Sequence, residues 1–64
     1  MRGTQHPHRA GYRKGYMAAS GDLYDGVPAD PEAASRYADR VAPAHRAEAL
    51  QGFADGYADR LAAR

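Results

Sequence analysis

The pattern Gly-aromatic-x-x-Gly-Tyr occurs twice, as Gly11-Tyr12-Arg13-Lys14-Gly15-Tyr16 and, 41 positions further on, as Gly52-Phe53-Ala54-Asp55-Gly56-Tyr57. Both copies fall in segments that read as helix, where each glycine is destabilising by roughly 0.5–1 kcal/mol relative to alanine. Four such glycines cost up to about 4 kcal/mol on the same scale, a large sum for a small domain. The apolar inventory offers little to offset it: three Leu, two Val, two Met, one Phe and five Tyr, with no Trp among 64 residues. A glycine at i and i+4 leaves a groove in which another backbone can lie. The repeat therefore predicts that the first and third helices cross at these glycines, with the neighbouring aromatics interdigitating. The expected fold is an all-α, small three-helix domain packed through the two motifs.

The rest of the chain supplies the helix boundaries. Residues 1–7 read as a basic N-terminal tail and 8–64 as a single helical domain, with helices over about 8–20, 31–42 and 44–63. Pro7 suits a first helical turn and Gly21 a left-handed residue after the last one. The stretch from Gly21 to Asp30 is dense in turn formers and reads as a loop. Asp30 as N-cap, Pro31 at the first position and Glu32 in the first turn open the second helix, which Pro43 interrupts. Leu50, Phe53, Ala54, Tyr57 and Leu61 form one helical stripe in the third, with Glu48, Asp55 and Asp59 expected on the opposite side. Only Thr4, Val27 and Val41 are β-branched, so no strand is expected.

Several kinds of chemistry find no footing. There is no cysteine, so disulfides and thiolate zinc sites are excluded. His6, His8 and His45 are too few for a closed metal site, and no metal or cofactor is expected. Asp22, Asp25, Asp30 and Glu32 do not follow the calcium-loop spacing, since the third position from Asp22 is Tyr24 and the sixth is Val27. Ser20 and Ser35 lack a nucleophile's setting, and the glycines lie inside helices instead of a phosphate-cradling loop. The reading is a non-catalytic protein with no small-molecule substrate. With no membrane-length apolar run and no apolar stretch after the N-terminus, a cytoplasmic protein is expected, monomeric or weakly dimeric.

Charge is unevenly spread beneath the net +1. Residues 1–19 carry Arg2, Arg9, Arg13 and Lys14 with no acid, whereas residues 20–64 carry five Arg against eight Asp and Glu, a net of −3. Arg9 and Arg13 are four apart, a spacing at which like charges destabilise a helix, and Arg9 sits near the positive end of the helix dipole. Helix stability alone would avoid both. With Tyr12 and Tyr16 between them, these cations read as a small phosphate-contacting face with possible stacking rings. The acids Glu48, Asp55 and Asp59 offer a competing partner-binding face that would imitate a phosphate backbone.

The segment His8-Arg9-Ala10-Gly11-Tyr12-Arg13-Lys14-Gly15, with Leu50-Gln51-Gly52-Phe53 and Ala58-Asp59-Arg60, resembles the bacterial ribosome modulation factor family across about half of the chain. The resemblance implies a small helical core that docks on the small ribosomal subunit and helps to idle ribosomes. It would place Arg9, Arg13 and Lys14 at ribosomal RNA, with Gly11, Tyr12, Gly15, Gly52 and Phe53 structural. The alternative is a phage or mobile-element inhibitor of a CRISPR effector, acting by steric block or nucleic-acid mimicry, since small alanine-rich helical proteins are common in that class. Both readings name a nucleoprotein complex as the partner.

Overall fold

Proline at position 7 fixes the first turn of α1, which runs Pro7–Asp25; α2 is Ala33–Ala38, and a 3-10 turn, Pro43–His45, leads into α3, Arg46–Ala62. This architecture comes from a computed structural model describing residues 6–63, which contain no strand. The first helix is longer than the sequence pattern predicts. Gly21 stays helical, with nothing within 4 Å of where a side chain would begin. The helix stops at Gly26 instead, whose φ of 71° is left-handed. There the Val27 N–H reaches the Asp22 carbonyl at 3.0 Å and the Gly26 N–H that of Leu23 at 3.2 Å, the pair of bonds of a Schellman end. The added turn brings Asp22 to Tyr57 on α3, a tertiary contact that local turn chemistry does not encode.

The second helix is shorter than expected, covering 33–38 instead of 31–42. Asp30 still organises its approach: its carboxylate accepts the Glu32 N–H at 2.9 Å and pairs with Arg36. At the other end Arg46 donates to the carbonyls of Ala38 and Val41, both at 2.9 Å, pinning the end of α2 and the turn after it to the start of α3.

Helices α1 and α3 pack through the two glycine motifs, and they run parallel. Gly52 lies over the His8 backbone and Gly56 over Tyr12, while Gly11 lies over Ala49 and Gly15 over Phe53. A Cβ added at any of the four would collide with a carbonyl oxygen of the other helix. The glycine hydrogen standing in that direction points at the carbonyl, the weak Cα–H···O arrangement of closely crossed helices. Subtracting 41 from the α3 numbers maps each contact onto its partner, so the interface has an approximate twofold axis running between the helices. Parallel neighbours cannot be joined by a tight turn. The connection over 26–45 carries the chain back and lays α2 against one side of α3.

The core is thin. Ala19, Phe53 and Tyr57 form its buried cluster, flanked by Ala18, Ala33, Ala34, Tyr37 and Leu61. The buried positions of α3 are Ala49, Gly52, Phe53, Gly56 and Tyr57; Leu50 and Ala54, expected on that stripe, are exposed. Backbone contact at the glycines rotates the buried side toward the smallest residues. Polar pins supplement the packing. Buried Tyr57 donates its hydroxyl to Asp22 and accepts the Asp30 N–H at 3.0 Å, tying α1, the connection and α3 together. Burial, then the Asp22 hydrogen bond, push its pKa above the ordinary tyrosine value.

Candidate nucleic-acid interface on the first helix

The side of α1 turned away from α3 is a continuous ridge. Arg9, Arg13, Met17 and Tyr24 follow one another at spacings of four and seven, which keep side chains on one side of a helix, and Tyr16, three residues after Arg13, stands at the edge of that side. From Arg9 to Tyr24 the ridge is roughly 22 Å long at 1.5 Å per residue. Tyr16 is 39% exposed, Met17 64% and Tyr24 92%. Met17 and Tyr24 are the most exposed of the large apolar side chains among the described residues, and both stand on this side.

No acid interrupts the ridge. The acids of α1 are Asp22, turned inward to Tyr57, and Asp25 at its last position. Helix α3 adds a cation at the edge: Arg60 lies over the Tyr16 ring at 5.9 Å from its centroid and is held there by Nε donating to Ser20 Oγ at 2.9 Å. The helix draws no dipole stabilisation from charge, having neither an acid in its first turn nor a base in its last.

The structure treats the expected site residues unequally. Arg9 and Arg13 share the ridge and are exposed. Lys14 is also exposed but stands about 100° round the helix from Arg13, on a flank. Arg2 lies outside the described residues. Tyr12 is half-buried and donates its hydroxyl to Asp59, whose bond holds the tyrosine pKa above its usual value. The acidic set lies differently from expectation. Asp55 and Asp59 do not point away from the packed side but toward the start of α1, where His8 Nε2 donates to Asp55 at 3.0 Å. Asp55 also accepts from Gln51 at 2.9 Å, and the His8 bond, then that of Gln51, hold its carboxyl below the ordinary range. Glu48 is exposed.

Three ridge residues escape a reading of the sequence. Tyr24 falls in the stretch read as loop, Met17 carries no charge or motif to single it out, and Arg60 joins only through the parallel packing. Among the described residues no cluster of three or more His, Cys, Asp or Glu is placed to hold a metal, and no helix is long and apolar enough to cross a membrane. No family model, curated protein or solved structure matches this chain.

Proposed function

We propose that this chain is a non-catalytic docking module for a nucleoprotein particle of the ribosome kind, which it meets through the outward ridge of α1. The observation that carries the reading is the ridge's composition: two arginines, Arg9 and Arg13, with exposed Tyr16, Met17 and Tyr24, on a helix whose one outward acid is Asp25 at its far end. Cations on such a surface suit phosphates, and planar rings beside them suit bases. The resemblance of the His8–Gly15 segment to the ribosome modulation factor family points the same way.

The competing reading, inhibition of a CRISPR effector through Glu48, Asp55 and Asp59, has less to draw on. Two of those three carboxylates already accept hydrogen bonds from α1.

Sedimentation of a lysate containing the tagged protein tests the proposal. The expected result is co-migration with ribosomal particles at low salt, weakening at moderate salt and lost on Arg9→Ala with Arg13→Ala. A protein that stays at the top of the gradient at low salt overturns it.

A further inference from the structure

The approximate twofold axis gives each helix a similar groove, both open to solvent, and only the α3 groove has a third ring packed into it. On α3 the groove runs past Phe53, Ala54, Tyr57 and Ala58, against the connecting segment that includes Asp30 and Ala34. The residues 41 positions earlier are Tyr12, Arg13, Tyr16 and Met17, and these line a second cleft of about 380 Å³ on α1. The aromatic pairs have similar geometry: Phe53 and Tyr57 have centroids 6.1 Å apart at 18°, Tyr12 and Tyr16 6.2 Å apart at 26°.

What differs is the third ring. On α3, Tyr37 from α2 stacks on Phe53 with centroids 5.0 Å apart at 27°. No segment of the described chain places a ring at the matching position against Tyr12. The surroundings differ in charge as well. Where the α3 groove has Ala54, the α1 cleft has Arg13, and the exposed Arg9 and Lys14 stand near it on α1. An occupant that offers a flat ring at the Tyr37 position and negative charge on either side of it satisfies both differences. A nucleotide within a strand does so: its base is the ring and its flanking phosphates are the charge.

We infer that the cleft formed by Tyr12, Tyr16 and Met17 takes an unpaired base of an RNA strand, stacked on Tyr12 as Tyr37 stacks on Phe53, while Arg9 and Arg13 contact the adjoining phosphates. The inference rests on the nucleoprotein reading above and adds that the RNA it meets is single-stranded. A duplex keeps its bases stacked inside and has none to give.

Fluorescence anisotropy with a labelled single-stranded RNA oligonucleotide and a duplex of the same length tests it. Variants are confirmed as folded by circular dichroism. Tyr16→Ala and Met17→Ala both lie at the surface, and Tyr16→Phe retains the ring. The expected result is preference for the single strand, weakened roughly 5- to 150-fold by Tyr12→Ala, the range for loss of one stacked base, and also weakened by Tyr16→Ala, which removes the cleft wall beside it. Tyr16→Phe restores most of the binding, and Arg9→Ala with Arg13→Ala weakens both RNA forms. Equal binding of strand and duplex, unaffected by Tyr16→Ala and Met17→Ala, overturns the base site and leaves the docking reading standing. Failure of folded protein to bind either form overturns both. A synthetic peptide of residues 29–38 that displaces the RNA by binding the cleft more tightly makes the occupant a polypeptide and likewise overturns the base site.

Discussion

At Gly15 and Gly56 a methyl group would have to occupy space already filled by the carbonyl oxygens of Phe53 and Tyr12. The ordinary preference of helices for alanine is therefore reversed there. Gly15→Ala or Gly56→Ala is expected to destabilise by about 1–3 kcal/mol, as overpacking does, despite the gain in helix propensity. Gly21→Ala provides the contrast, because that glycine is helical and faces open space. It is expected to stabilise by roughly 0.5–1 kcal/mol. Thermal melts followed by circular dichroism read both, each kcal/mol moving Tm by roughly 4–8 °C in a domain this small. Stabilisation by Gly15→Ala equal to that by Gly21→Ala would refute the close crossing.

Tyrosine and aspartate set the pH response. Tyr57 and Tyr12 titrate above the usual value, so their contribution is complete below about pH 10 and is lost as the pH rises through their folded values. Asp30 is held low by Arg36 and then by the Glu32 N–H, and Asp55 by His8. Their contribution is present above about pH 3.9 and fades as the pH falls further. The two carboxylates are near the surface, so the acid limb is expected to be shallow and the alkaline limb steep. Denaturant melts at neutral pH and above about pH 10, alongside tyrosinate absorbance, check this. Stability unchanged while all five tyrosines ionise together would contradict it.

Among the elements, α2 is the one that cannot stand alone, since six residues are far below the length at which an isolated helix persists. It depends on Tyr37 stacking upon Phe53 and on Arg46 tying Ala38 and the following turn at Val41 to α3. Arg46→Ala is expected to speed amide exchange across residues 36–41 while leaving the centres of α1 and α3 protected. Uniform acceleration throughout the chain would mean that α2 is not a separate unit of stability. The same dependence explains what the sequence made legible. Helix α3 and the glycine crossing follow from periodicity and from a cost that needs an offset, both local in the chain. The end of α1 does not, because Gly21 and Gly26 carry the same local signal and the Asp22–Tyr57 bond decides between them. The basic half of the ridge is legible in Arg9 and Arg13. Tyr16 is legible with them, whereas Tyr24 is not, because it stands in a stretch dense in turn formers that only the Asp22–Tyr57 contact draws into α1.

For the whole molecule, the balance between a thin core and an unshielded ridge governs binding. With Arg9 and Arg13 each meeting one phosphate, the plot of log affinity against log salt is expected to slope by roughly −1.4 to −1.8. A slope near zero with intact affinity would show that charge is not what holds the complex. The approximate twofold axis has another consequence. Each helix offers its partner nearly the same backbone surface, and the 20 residues of 26–45 are the only covalent reason that α1 meets the α3 of its own chain. Refolded in concentrated solution, two molecules are expected to trade helices, giving a dimer built from the monomer's own contacts that separates only through unfolding. The repeat that lets so short a chain close on itself also lets it close on a neighbour.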